Sequence, residues 1–194
     1  MIVPLAKSHV RDVARLHCET LTGLLTELGE PAARAFYSGS VRVGSARGFV
    51  DAEGGTILGF VFGSVRPADL KKEIFRRNPF GTVAGLVSGS LRKPSAFGFL
   101  LKSFKGPDEG TYDSACAELT YLAVAQGSRK SGAGRRLVEA FSGAMRDAHV
   151  PSYELSVDGD NAGAIRFYET LGFKLVGRYR EFGIAHGRYR LELR

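Results

Sequence analysis

The apolar run Leu119-Thr120-Tyr121-Leu122-Ala123-Val124-Ala125 leads into Arg129-Lys130-Ser131-Gly132-Ala133-Gly134, and a helical pattern follows through Arg135, Leu137, Val138, Phe141 and Met145. A strand that feeds a glycine-spaced turn and then a helix is a phosphate cradle. Glycine lets backbone N–H groups approach an anion closely, and the helix N-terminus adds free N–H groups and partial positive charge. A phosphorylated ligand is therefore expected. The spacing is neither that of a P-loop, which needs Gly-Lys-Ser/Thr after four intervening residues, nor that of a dinucleotide fingerprint with three glycines and a downstream acid.

Working outward, strands and helices alternate in one unit. Ile2-Val3-Pro4-Leu5 reads as a short strand, and Ser8 with Asp12 opens a helix carrying Val10, Val13, Ala14, Leu16 and His17 at apolar spacing. Pro31 begins a second helix through Phe36 and Tyr37. Gly48–Asp51 and Thr56–Phe62 flank Glu53-Gly54-Gly55, a hairpin signal. A segment with helix breaks at Pro79 and Pro94 follows, then a strand over Ala117–Ala125, a helix over Arg135–Ala148 and a strand over Tyr153–Val157. Asp160-Asn161 caps a helix carrying Ala164, Ile165, Phe167, Tyr168 and Leu171, which Gly172 ends. Phe173–Tyr179 and His186–Leu193 close the chain as a hairpin.

With 194 residues, 44% hydrophobic and 24% charged, the chain reads as a single globular domain over 1–194. Cys18 and Cys116 lie far apart without a partner motif, so neither a disulfide framework nor a metal site is expected. Met1–Lys7 is too short and too soon interrupted for a signal peptide, and no long apolar run offers a membrane span. A cytoplasmic location is the expectation. The formal charge of +7 is concentrated: residues 66–105 hold nine Lys or Arg against Asp69 and Glu73, interleaved with Phe75, Phe80, Phe97, Phe99 and Phe104. Such a segment suits phosphates, an acidic substrate or the anionic inner face of a membrane, and a solvated helical excursion reads the same way. No nucleic acid is expected, because its aromatics are all Phe and no recognised module surrounds them.

Asn161-Ala162-Gly163-Ala164-Ile165-Arg166-Phe167-Tyr168-Glu169-Thr170-Leu171-Gly172-Phe173, taken with Leu122-Ala123-Val124 and Arg129-x-x-Gly132-x-Gly134, resembles the GNAT superfamily of N-acetyltransferases. The resemblance runs from about Ile2 to the C-terminus, with 66–105 as an insertion between the third and fourth strands. It implies an α/β GNAT fold: a central mixed, mostly antiparallel sheet flanked by helices, with a helical insertion. It also implies acetyl-CoA as the acyl donor and a primary amine as acceptor, joined by direct attack in a ternary complex. Another acyl-CoA, another acceptor type, and a non-catalytic acyl-CoA-binding protein are the alternatives. A homodimer stays open.

Residue by residue, the resemblance implies that Arg129, Lys130, Ser131, Gly132, Ala133, Gly134 and Arg135 hold the pyrophosphate of coenzyme A. Pantetheine then runs along Leu122, Ala123 and Val124 as an added strand, with the backbone N–H of Ala123 or Val124 stabilising an oxyanion. Asn161 either caps its helix or contacts pantetheine. Tyr168 matches the residue that protonates the departing thiolate. Glu118, 11 residues before Arg129, has the spacing of the base in histone-acetyltransferase members. The ribosomal-protein alanine acetyltransferases carry their base five residues before the Asn, which here is Ser156, so Glu118 is the expected base and Glu154 its reserve. His186 is a candidate to line the acceptor site. The acceptor itself is not legible; the insertion points to something acidic, phosphorylated or membrane-associated, such as an amino sugar.

Overall fold

The computed structural model describes residues 1–92, 116–181 and 183–193. The strands are β1 (Ile2–Pro4), β2 (Ala46–Glu53), β3 (Thr56–Ser64), β4 (Ala117–Val124), β5 (Ser152–Asp158), β6 (Lys174–Glu181) and β7 (Ile184–Glu192). They form one seven-stranded sheet in the order β1-β2-β3-β4-β5-β7-β6. Every neighbouring pair is antiparallel except β4 with β5, so the sheet is mixed and mostly antiparallel, as expected. Among the described residues the helices are α1 (Val10–Thr20), α2 (Leu24–Leu28), α3 (Glu30–Ser40), α4 (Pro67–Arg77), α5 (Pro79–Arg92), α6 (Ala133–Asp147) and α7 (Ala162–Thr170).

Helices cover both faces of the sheet. On one face, Val13 and Ala14 of α1, Tyr37 of α3 and Ile74 of α4 pack with Val50, Phe60, Phe62 and Ala123. On the other, Leu137 and Phe141 of α6 and Tyr168 of α7 pack with Val61, Leu119, Tyr153 and Leu155. The hairpin between β2 and β3 turns on Gly54 and Gly55, at φ +56° and +81°, as a primed turn needs. The described part of the insertion between β3 and β4 is helical, with α4 and α5 separated at Asn78 ahead of Pro79. The expected break at Pro94, and Lys93, Phe97, Phe99, Lys102, Phe104 and Lys105, lie outside the described residues. Helix α5 docks tightly because it is glycine-spaced: a Cβ on Gly85 would come within 2.9 Å of Ala32 Cα, and one on Gly89 within 2.6 Å of the Leu28 carbonyl oxygen.

Two details position everything that follows. Strand β4 bulges at Thr120, since Phe62 pairs Tyr121 and Gly63 pairs Leu119. Before the bulge Ala117 and Leu119 face α6; after it Leu122 and Val124 do, and Tyr121 and Ala123 turn to the α1–α3 face. Strand β4 also pairs β5 only at Ala117 with Tyr153 and Glu118 with Glu154. Beyond that vertex the two strands part.

Gly63 is what lets β3 follow the bulge. A Cβ there would overlap the Glu118 carbonyl oxygen and stand 2.7 Å from the Phe141 ring. Gly63→Ala is therefore expected to lose about 1–3 kcal/mol of stability by overpacking. Gly143→Ala, within α6 and with open space around the added methyl, is expected to gain about 0.5–1 kcal/mol from helix propensity. Urea denaturation of the two variants beside the parent protein checks both signs.

Candidate active site

Where β4 and β5 part, the edge of β4 from Leu119 to Val124 meets no strand on that side among the described residues, while its other edge stays paired to β3 as far as Gly59 opposite Val124. Strand β5 keeps its outer partner as far as Asp158 opposite His186. The result is a wedge lined by backbone N–H and C=O groups. Such groups need a partner when water is excluded, and an extended ligand chain supplies one. Leu122, Ala123 and Val124, the three residues expected to run beside pantetheine, form this free edge.

At the open end of the wedge sits the 129–135 loop. Lys130 and Gly132 take positive φ, +65° and +82°, and Gly132 caps the start of α6. The first return bond of the helix runs from the Arg136 N–H to the Gly132 carbonyl, 3.1 Å, so the N–H groups of Ala133, Gly134 and Arg135 face outward from the helix end. The two glycines act differently. Gly132 holds the left-handed turn, whereas a Cβ on Gly134 would press on the Phe167 ring at 3.2 Å, so Gly134 lets α6 close against α7. A buttress fixes the loop from behind. Arg136 donates from Nε and Nη2 to Asp51 Oδ2 at 3.1 and 2.6 Å, and from Nη1 to the Ser131 carbonyl at 3.0 Å. Asp51 is almost fully buried. Burial pushes its carboxyl up, but Arg136 and the N-terminal ammonium outweigh burial and hold it below its ordinary value.

The vertex carries the charges. Glu118 and Glu154 are neighbours across the parallel pairing, and Arg188 of β7 lies between them. Its Nε donates to Glu154 Oε2 at 2.6 Å, Nη1 to Ser156 Oγ at 2.9 Å and Nη2 to Glu118 Oε2 at 3.5 Å. Arg190 occupies the second Glu154 oxygen at 2.6 and 2.9 Å. Glu154 is thus held on both oxygens, whereas Glu118 has one long contact and keeps 19% of its side chain exposed. Burial, only partly offset by Arg188, raises the Glu118 carboxyl above its ordinary value. On the opposite face Tyr168 packs edge-on against Phe167 and Phe173. Burial pushes its phenol well above the ordinary value. Its hydroxyl has no hydrogen-bond partner among the described residues.

The wedge between β4 and β5 and the start of α6 at its mouth both fall within a recognised family domain. The model of the Acetyltransferase (GNAT) family matches residues 10–173. The chain belongs to the GNAT acetyltransferase family. Mycothiol acetyltransferases of Nocardiopsis dassonvillei and Beutenbergia cavernae share 51% identity over 45 residues and 36% over 72 residues, covering 23% and 37% of this chain. Those stretches span only 14% and 24% of the relatives' own lengths. A crystal structure described as a putative GNAT acetyltransferase of Desulfovibrio desulfuricans superposes with a TM-score of 0.66 at 18% identity, covering 100% of this chain and 99% of that one.

Within the GNAT frame, Asn161 is a helix cap: its Oδ1 accepts from the Ala164 N–H at 3.0 Å. His186 shares the face of Glu154, Ser156 and Arg188 in the β5–β7 register, stacks on Tyr179 and pairs with Asp158 at 3.1 Å. The α1–α3 face also holds a pocket of about 320 Å³ under Tyr121, between α2, α3, α4 and α5. Tyr121, pushed up to about 12 by burial with a further push from Glu118, contacts His17 edge-on with ring centroids 4.7 Å apart. His17 is fully buried, pairs with the Tyr37 hydroxyl at 2.8 Å, and is lowered to about 4 by burial. Its Nε2 and the Thr120 hydroxyl are buried atoms without a partner among the described residues. The Asp51–Arg136 buttress and the pocket escaped sequence reading: the first joins residues 85 apart, and the second is assembled by an unforeseen helix, α2.

The buttress generates a test of the loop alone. Asp51→Asn removes the charge that Arg136 holds, so the first hydrogen-bonded amides of α6, from Arg136 through the next turn, are expected to exchange with solvent at least about tenfold faster, while amides of the β3–β4 ladder keep their protection. Hydrogen exchange read by mass spectrometry checks it.

Proposed function

We propose that this GNAT protein transfers the acetyl group of acetyl-CoA to a primary amine, by direct attack within a ternary complex. The observation that carries the reading is the wedge: it runs from the outward N–H groups of 133–135 to the vertex, where Glu118 lies on one face and Tyr168 on the other. The pyrophosphate binds the loop from Arg129 to Arg135, and pantetheine pairs with the free edge of Leu122, Ala123 and Val124. The amine nitrogen attacks the thioester carbon; the N–H of Ala123 or Val124 stabilises the oxyanion; the C–N bond forms and the C–S bond breaks. The proton lost by the amine passes to Glu118 through water. Glu118 suits this because its carboxyl is raised and incompletely paired, while Glu154 is committed to two arginines. Products are the amide and the coenzyme A thiolate, which takes a proton from solvent as Glu118 returns the amine's proton to solvent.

Tyr168 serves as a hydrogen-bond donor to the leaving sulfur. Its phenol, raised by burial, is a much weaker acid than an ordinary thiol at about 8.5. Complete transfer of its proton to a thiolate is uphill, whereas donation to the developing charge needs no transfer. Tyr168→Phe is expected to lower kcat by about 10- to 100-fold with coenzyme A affinity unchanged. Thiol release and calorimetry read the two quantities.

Glu118 must be ionised to accept a proton, so activity falls as pH drops through its raised pKa. In Glu118→Gln that acid limb of kcat/KM is expected to vanish, leaving the slope set by the amine alone, with the plateau about 100-fold lower. A pH series on both proteins measures it. Where the enzyme works is a separate matter: Phe75 of α4 and Phe80, Val83 and Val87 of α5 are exposed alongside Lys72, Arg76 and Arg77. An apolar stripe beside basic residues supports peripheral contact with an anionic membrane. Flotation with phosphatidylglycerol vesicles, lost in Phe80→Ser/Val83→Ser, is the expected result.

A further inference from the structure

Resting on the acetyltransfer reading, we propose that the acceptor is a primary amine carried on an apolar group of leucine-to-phenyl size, seated in the pocket on the α1–α3 face of the sheet. The pocket holds about 320 Å³, at the small end of ligand sites. Its wall is apolar: Leu24, Leu25 and Leu28 of α2, Phe36 of α3, Ile74 of α4 and Leu86 of α5. Its polar groups are few, with Tyr121, Lys71, Thr82 and Glu181 the principal ones.

The pocket lies beside the reacting vertex, on the sheet face that Glu118 shares with Tyr121 across the bulge. Lys71 and Tyr121 line it, and both interact electrostatically with Glu118. Tyr121 is there only because the Thr120 bulge turns it onto this face. An ammonium arriving at this end meets the carboxylates of Glu118 and Glu181, with Lys71 as the opposing charge, while its organic group fills the leucine-lined end. An amino sugar fits poorly, since most of its hydroxyls would lose water against aliphatic side chains without gaining partners. A polyamine fits poorly too, because a second ammonium would fall among leucines or near Lys71.

The close helix contacts make this shape a built one. Gly85 over Ala32 and Gly89 over Leu28 bring α5 down onto α2 and α3, closing a wall that a looser helix would leave as an open groove. The apolar group belongs either to a free amine or to the first residue of a peptide, and the same pocket chemistry serves both.

The experiment is thiol release from acetyl-CoA with the full chain, using 2-phenylethylamine, isoamylamine, glucosamine, glucosamine 6-phosphate, spermidine and tripeptides beginning with Leu or Gly. The apolar amines are expected to exceed glucosamine, its phosphate and spermidine by about tenfold or more in kcat/KM. A Leu-first over Gly-first preference of that size, together with faster turnover than the free amines, identifies a polypeptide N-terminus as the source; the reverse order identifies a free amine. Leu25→Ser, at a half-buried position, is expected to raise KM for the preferred acceptor about tenfold with kcat and coenzyme A affinity kept, and Leu25→Met to restore it. Preference for glucosamine, its phosphate or spermidine overturns the proposal while leaving acetyltransfer standing. Equal use of all acceptors, or a Leu25→Ser protein with parental KM, also overturns it. Absence of any coenzyme A binding by calorimetry overturns both this proposal and the reading on which it rests.

Discussion

Two parallel strands that pair for two residues and then part set the terms for the rest of this molecule. Separation of β4 from β5 after Glu118 and Glu154 leaves strand edges unpaired in the middle of a sheet, where open edges are otherwise avoided. Such a defect persists only if both sides of the vertex are clamped. On one face the clamp is aromatic: Tyr153 stacks edge-on with Phe141 and Phe173, and Phe173 with Tyr168. On the other it is ionic, with Arg188 reaching Glu154, Ser156 and Glu118. The aromatic side sits under α6 and α7; on the ionic side Glu154 and Arg188 are themselves buried, and their mutual pairing with Ser156 and Arg190 is what makes their charge tolerable.

That ionic clamp also separates two identical functional groups into two roles. Adjacent carboxylates without a cation would share a proton, one of them rising sharply. Arg188 breaks the symmetry. Its short bond goes to Glu154, which Arg190 saturates on the second oxygen, and only a long contact reaches Glu118. Glu154 becomes scaffold, and Glu118 keeps the raised carboxyl and the partial exposure that a proton acceptor needs. The sequence shows two glutamates on neighbouring strands; it does not show which of them the arginines of β7 will take, because that depends on the register of Glu154 with Arg190 and of Ser156 with Arg188.

What was legible follows a physical pattern. The strand–turn–helix run from Leu119 through Met145, the Gly54-Gly55 hairpin and the Asn161 cap are local: each depends on backbone conformations that particular residues favour within a few positions. Their order along the chain fixed the sheet and the insertion. Helix α2 was missed because Leu24–Leu28 is five residues long, under two turns, and is delimited by Gly23 and Gly29 at positive φ rather than by a periodic pattern. The Thr120 bulge was missed because simple alternation places Thr120 and Leu122 together, and nothing in the residue types announces the extra residue. That single slip hid Tyr121, which alternation buries elsewhere and the bulge delivers to the pocket.

The two halves of the proposed site, donor and acceptor, differ in legibility because they differ in material. The donor side is made of backbone: outward N–H groups at the start of α6, a free edge on β4, and a left-handed Gly132. Backbone geometry needs glycine at one place and little else, so it writes a short motif that survives in a single sequence. The acceptor side is made of side chains from α2, α3, α4 and α5, brought together by helix packing across residues 24 to 86. No spacing rule connects Leu24 with Leu86, and the glycines that seat α5 look in sequence like weak helix residues. A fold that fixes its donor through backbone and its acceptor through packed side chains can change the second without disturbing the first. The Asp51–Arg136 buttress holds the donor side from elements outside the insertion. On the proposed reading the insertion sets acceptor chemistry, through α5 more freely than through α4, whose Leu70 and Ile74 belong to the sheet's core.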